Sequence, residues 1–318
     1  MKQKKGFTLV ELLVVIAIIA LLMGILMPAL ARVRQLAFRM TCGTNLAGIG
    51  KAMLIYANDY EDELPKAGGR SNTWVTTLPN WLSQAGRKAA YGIGTTNEGQ
   101  VTVSSSFYLL VKYAEVTPKS FVCKGESDTT EFILSDWTTD TTLELTKVWD
   151  FGKYDSADIN QSKHCSYGYQ VPFGSYALTV AHEPTMAVAA DRNPWLDPSV
   201  TLTDDWGPYR PDVEGLANTT TDMAKLGNSR AHQMEGQNVL FLDSHVSFEK
   251  RATAGIESDN IYTKQPVSGN TLEGRAKGEM PQPGNSSFYT TMASRKDSCL
   301  LQEGLQGSSG GASGGGGR

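Results

Sequence analysis

Two histidines and a carboxylate stand close together in the stretch RAHQMEGQNVLFLDSHVSF: His232, Asp243 and His245. Imidazole nitrogens and carboxylate oxygens are ligands for zinc and other transition ions, and they also perform acid–base catalysis. The ends of a hairpin can bring such groups together, and Asp191 closes a neighbouring apolar segment, Thr185 to Ala190. His232, Asp243, His245 and Asp191 are therefore the candidate metal or acid–base set. The plainer alternative is that histidines flanking a hairpin are hydrogen-bonded turn and edge groups. Asp204, Asp205 and Asp212 offer oxygen ligands for calcium, but no 12-residue EF-hand loop contains them. The four cysteines, Cys42, Cys123, Cys165 and Cys299, share no CxxC or Cys/His zinc spacing. In a domain outside the cytoplasm, Cys123 and Cys165 are the pair to test for a disulfide. The GxSxG pattern occurs only within the low-complexity Gly/Ser tail, which has no strand-to-helix context for an elbow, and there is no HExxH and no Gly-rich loop ending in GKS or GKT, so no catalytic residue is assigned and the chain reads as a non-enzyme. No cofactor is expected apart from the calcium or transition-ion alternatives.

A second chemical feature lies at the other end. The chain begins MKQKKGFTLVELLVVIAIIALLMGILMPAL, and from Phe7 to Met27 its 21 residues hold one charge, Glu11. As a helix rising about 1.5 Å per residue, this run matches the roughly 30 Å hydrocarbon core of a bilayer. Lys2, Lys4 and Lys5 precede it with no acid among them, which places the N-terminus in the cytoplasm and the rest outside. A cleaved secretory signal is one reading, with Ala29-Leu30-Ala31 as its small-residue site, but the apolar stretch is longer than the usual 7 to 15 residues of such a signal. A plain anchor is another, at a cost of about 2 to 3 kcal/mol for the carboxylate.

The stretch Lys4-Lys5-Gly6-Phe7-Thr8-Leu9-Val10-Glu11, with Pro28 near the end of the apolar run, closely resembles the class III leader of type IV prepilins and type II secretion pseudopilins. That resemblance implies cleavage between Gly6 and Phe7 by a membrane prepilin peptidase and methylation of the new Phe7 amine. It also implies an assembly role for Glu11. Cleavage creates a cationic amine inside the membrane, where an unpaired charge is expensive, and the Glu11 carboxylate of a neighbouring subunit can neutralise it. The line CGTNLAGIGKAMLIYANDYEDELP resembles the region after the membrane helix in a pseudopilin-like family common in planctomycetes. RAHQMEGQNVLFLDSHVSF resembles the His-X9-Asp-Gly element of the same processing-associated group. Here ten residues separate His232 from Asp243, and Ser244 stands where that family has Gly.

The elements that must position these groups follow from periodicity. Cys42, Leu46, Ile49, Met53, Tyr56 and Tyr60 recur at helical spacing and form one face, the surface on which a head would pack. Gly43, Gly48 and Gly50 weaken that helix by about 1 kcal/mol each, which predicts bending or local melting, and the resemblance adds melting near Pro28 on assembly. Leu64-Pro65 ends the helix. Downstream, Ser104 to Ser106 would cap a helix running to Ala114, Ser120 to Cys123 reads as a strand, and Asn238 to Leu242 and His245 to Glu249 form a hairpin turning at Asp243-Ser244. Leu134 to Leu145 and Thr201 to Asn228 read as polar surface loops, and the Gly/Ser tail from Gly307 as disordered.

These elements make an α+β, pilin-like fold in which a long N-terminal helix, its first half transmembrane, packs on a head with an antiparallel sheet. The expected organisation is a leader at 1–6, a membrane and assembly helix at 7–30, its soluble half at 31–62, a head at 63–302 and the tail at 303–318. The chain has 318 residues and a formal charge of −4, which gives no basic footprint for nucleic acid. The resemblance implies a fibre subunit held first in the inner membrane with a periplasmic head, whose partners are copies of itself, sibling pilin-like subunits, the peptidase and an inner-membrane assembly platform. The competing readings are a membrane-anchored periplasmic metal-binding protein or hydrolase using His232, Asp243 and His245, and an adhesin or ligand-binding module on the same scaffold.

Overall fold

In the computed structural model, helix α1 spans Leu9–Asp59 as one unbroken 51-residue element. The described residues are 8–67, 73–74, 100–127, 129–152, 154–155, 158–159, 163–172, 176–196, 206–266, 271–280 and 292–302. Gly6, Phe7, Asp204, Asp205 and the Gly/Ser tail lie outside them. Thr8 caps α1: its hydroxyl accepts from the Glu11 backbone N–H at 3.3 Å, and the Glu11 carboxylate accepts from the Thr8 N–H at 2.9 Å. This is a capping box, which satisfies two of the donors a helix start leaves open.

Along α1 the burial pattern divides at about Met40. From Leu9 to Met40 the large apolar side chains are exposed apart from the half-buried Phe38, and the most apolar stretch is long enough to cross a membrane with none of it buried against the rest of the chain. From Cys42 onward the expected face is buried: Cys42, Leu46, Ile49, Met53 and Tyr56, joined by Gly50, Ala52 and Ala57. Tyr60 is the exception; it is 39% exposed and stacks on Tyr56 with ring centroids 4.2 Å apart.

Two short pairs come next, β1 (Thr73–Trp74) parallel to β2 (Gln100–Val101), then α2 (Val103–Tyr113), then β3 (Tyr154–Asp155) antiparallel to β4 (Asp158–Ile159). Thr102, not the serines after it, caps α2 by accepting from the Ser105 N–H at 3.1 Å. The stretch expected as a strand at Ser120 to Cys123 forms no strand: its first two residues end a 3-10 turn, Pro118–Phe121, and Val122 and Cys123 follow it without pairing in a sheet. Pro118 supplies the helical φ at its start and no N–H to a ladder, so the chain turns instead of extending.

The head is organised by one antiparallel sheet: β5 (Tyr167–Gln170), β6 (Ala187–Asp191), β7 (Gln237–Phe241), β8 (Val246–Glu249) and β9 (Leu300–Leu301), in the order β8-β7-β6-β5-β9. The fold is therefore α+β, a long apolar N-terminal helix on an antiparallel sheet, with the architecture of a pilin. Alternation along β7 shows how both faces are used. Leu240 joins the core shared with α1 and α2, whereas Val239 and Phe241 join a second core with Trp195, Tyr209, Tyr262 and Ile261.

That second core corrects the reading of Thr201 to Asn228 as surface loop. Tyr209 is 1% exposed, Trp206 packs beside it, and helix α3 (Thr221–Lys225) lies in the same stretch. A further short helix, α4 (Leu272–Lys277), follows the hairpin. The glycines of α1 also have another role than melting it. A Cβ at Gly50 would lie 2.6 Å from the Leu240 Cδ1, and one at Gly43 3.2 Å from the Asn238 Oδ1, so their missing side chains let the helix lie close on β7.

Candidate functional site

The groups read from the sequence as one site fall into two places on the hairpin. Asp243 and His245 are in the turn at one end. The His245 Nδ1 lies 2.5 Å from the Asp243 Oδ1, which also accepts the His245 backbone N–H at 3.1 Å, and the imidazole stacks on Phe241 at 4.4 Å. That backbone hydrogen bond holds the Asp243 carboxyl below the usual carboxylate range. Both side chains are exposed, and Ser244 between them adopts φ 67°, the left-handed conformation that Gly takes without strain. This is a turn-locking pair.

His232 and Asp191 meet at the opposite end. Asp243 is five residues along the chain from Asn238, about 16 Å at strand spacing, so the four groups do not converge. His232 ends a 3-10 turn, Arg230–His232, started by Ser229, whose hydroxyl accepts the Ala231 N–H at 3.4 Å. The left-handed residues Gln233 (φ 59°) and Met234 (φ 58°) then turn the chain into β7. There the His232 Nε2 lies 3.0 Å from the Asp191 Oδ2. Asn238 ties the pair down: its backbone N–H and its Nδ2 both donate to the Asp191 Oδ2, at 2.6 and 2.9 Å, and its Nδ2 is 3.2 Å from the His232 Nε2. Asp191 is fully buried, and its other oxygen, Oδ1, has no hydrogen-bond partner.

Two cysteines complete this cluster. Cys42 on α1 and Cys123, after the Pro118 turn, form a disulfide with Cα atoms 5.4 Å apart. Cys165 and Cys299 are buried and take no part in the disulfide, so the expected Cys123–Cys165 pair is replaced by Cys42–Cys123. The reason is the stripe: Cys42 is fully buried on the head-facing side of α1, opposite the turn that presents Cys123. The Asn45 Nδ2 donates to the Val122 carbonyl at 3.4 Å one turn along, holding the same two segments together. Cys42 was legible as a candidate through its place on that face.

The Cys123 Sγ is 4.0 Å from the His232 Nε2. In a nucleophile–His–acid triad the acid must hold the imidazole nitrogen opposite the nucleophile. Here carboxylate and sulfur face the same nitrogen, so the arrangement is not that of a cysteine hydrolase. One oxygen, one nitrogen and two sulfurs are instead gathered in one place: these ligand-type atoms of Cys42, Cys123, Asp191 and His232 lie within 4.8 Å of one another, and all four residues are buried. His232 also lines a pocket of about 480 Å³ between the head and α1, together with Met27, Leu30, Arg34 and Phe38. Arg39 closes its edge, its guanidinium 2.8 Å from the Glu235 carboxylate and 3.6 Å above the Phe248 ring. Of the calcium candidates, Asp212 is engaged by the Arg251 Nε at 2.5 Å.

The chain carries a prokaryotic N-terminal methylation motif. The family model of that description matches residues 1–27, covering the basic start, the Gly6-Phe7 junction, Glu11 and the apolar run into α1. No curated protein and no solved structure is significantly similar to the chain. The motif, together with the membrane-length apolar helix and the sheet head, supports a pilin- or pseudopilin-type precursor.

Proposed function

We propose that the protein is a structural subunit of a type IV pilus-like or type II secretion pseudopilus fibre. The observation that carries this reading is the methylation motif at residues 1–27, joined to a helix whose first half buries nothing within its own chain while its second half is the core of the head. An exposed apolar helix must be covered by lipid or by other helices, and a fibre core supplies the second kind of cover. Cleavage between Gly6 and Phe7 frees an amine at Phe7. In the fibre, the Glu11 carboxylate leaves its capping box with Thr8 to neutralise the amine of an adjacent subunit and so sets the register. The subunit waits in the inner membrane with its head in the periplasm. It is then handled by a prepilin peptidase and an assembly platform, and its partners are copies of itself and sibling subunits.

Gly6→Ala tests this. The expected result is a precursor heavier by the leader and absent from sheared fibres, whereas the native chain begins at a methylated Phe7 by mass spectrometry. Normal processing of the variant overturns the reading.

A further inference from the structure

We infer that the reduced chain holds a zinc-class divalent ion between Cys42, Cys123, Asp191 and His232, and that this site and the Cys42–Cys123 disulfide are alternative states of the same two sulfurs. The inference is independent of fibre assembly. The ligand set is two thiolates, one imidazole and one carboxylate, the donor types and the number that a closed tetrahedral zinc site uses. Zinc bond lengths imply ligand-to-ligand edges of roughly 3.4 to 3.8 Å in a tetrahedron. The structure already has 3.0 Å between the Asp191 Oδ2 and the His232 Nε2 and 4.0 Å between that nitrogen and the Cys123 Sγ. Those two edges must change by a few tenths of an ångström, and the two sulfurs must part.

Three further observations point to a cation. The Asp191 Oδ1 is buried without a partner, so the carboxylate sits in a closed site incompletely compensated, a state that a cation bound to the carboxylate relieves. Asn238 donates twice to the Oδ2, the kind of supporting contact that orients a ligating carboxylate. His232 borders the pocket beside α1, which gives an ion a route to an otherwise closed cluster. Gly125 matters for the geometry: a Cβ there would sit 2.3 Å from the Ala231 carbonyl oxygen, so only Gly lets the Cys123 turn press against the His232 turn.

The competing state closes by thiol–disulfide exchange. The two thiolates give two electrons to the disulfide of an oxidoreductase, one S–S bond forms here and one breaks there, and the ion leaves as Zn²⁺. The metal state therefore belongs to the chain before oxidation.

The test uses the full chain in detergent, reduced with a phosphine, freed of metal and titrated with Co²⁺ under argon. The expected result is one ion per chain with visible bands of tetrahedral cobalt and a near-ultraviolet sulfur-to-cobalt band, both removed by equimolar Zn²⁺. The disulfide form shows neither. Cys42→Ser removes most of the sulfur band, His232→Ala and Asp191→Asn weaken binding at least about tenfold, and Cys165→Ser changes nothing. Absence of the sulfur band in the reduced native chain overturns the inference without recourse to any variant. An unchanged band in His232→Ala and Asp191→Asn chains that melt like the native one overturns it too, since thiols alone would then hold the ion.

Discussion

Replacing Cys42 and Cys123 together by Ser removes the one covalent tie between α1 and the body of the head seen among the described residues. The two cysteines are 81 residues apart. The chain-entropy relation for a loop of that length gives about 4.5 kcal/mol of stabilisation at 25 °C, through restriction of the unfolded chain. Residual structure does little to this figure: even if α1 stayed helical from Cys42 to Asp59 in a detergent micelle, the loop would shorten by about a fifth and the effect by only about 0.2 kcal/mol. With a urea slope of about 3 kcal/mol per M, the midpoint should fall by about 1.5 M. The assay is urea unfolding of the full chain in detergent, followed by tryptophan emission, since Trp195 is fully buried in the second core. Burying two new hydroxyls adds about 1 kcal/mol per site to the loss. Reduced native chain in chelator is therefore the cleaner comparison and should show most of the same shift. Cys165→Ser should leave the covalent connectivity intact. A double Ser variant and a reduced native chain both within about 1 kcal/mol of the oxidised protein would refute the reasoning, as would a non-reducing peptide map joining Cys123 to Cys165.

Two further outcomes follow from packing and charge. Gly50→Val should cost about 1 to 3 kcal/mol in the same unfolding assay, because its branched side chain must displace Leu240 from α1, whose Cδ1 already lies 2.6 Å from the Cβ position; Leu240→Ala in the same chain should make the two costs less than additive, and strict additivity would refute the contact. Burial pushes the Asp297 carboxyl up to about 6 from 3.8, and burial together with the Asp297 charge holds Asp259 well above its ordinary value. A carboxyl raised on folding stabilises the fold below its unfolded value, and that contribution is lost as pH rises through the folded one. The Asp297 share of the stability should therefore decline between about pH 4 and 6 and the Asp259 share should decline from about pH 4 upward, so Asp259→Asn should flatten the slope; equal slopes in the two proteins would refute the assignment.

Local pattern carried far where each element answers to its own residues. The stripe from Cys42 to Tyr56 gave the head-facing side of α1, and the apolar run from Asn238 to Leu242, the Asp243-Ser244 turn and the alternation from His245 to Glu249 gave the hairpin. Tyr60 escaped because the helix ends at Asp59 and the ring can stack on Tyr56 without entering the core. The buried cluster was half legible. His232 and Asp191 were the right types, but nearness in sequence grouped them with Asp243 and His245. What separates the sets is strand register: Ala190 pairs with Val239, which puts Asp191 beside Asn238 and a strand's length from the turn. The second core was hidden because its aromatic residues, Trp206 and Tyr209, sit in a stretch of Asp, Thr and Gly whose composition reads as solvent-facing.

The same glycines that looked like weak points in α1 mark where it lies closest to the sheet. A helix stiffened only by propensity would bend where Gly43, Gly48 and Gly50 cluster. Here Gly43 and Gly50 face Asn238 and Leu240, so the segment most prone to bend is the segment held closest to the sheet. The Cys42–Cys123 bond and the Arg39 to Glu235 ion pair anchor it at its N-terminal edge. It is there, too, that Cys42 meets Cys123 and His232, so the redox state of that cluster determines how firmly the head is held to the helix that carries it.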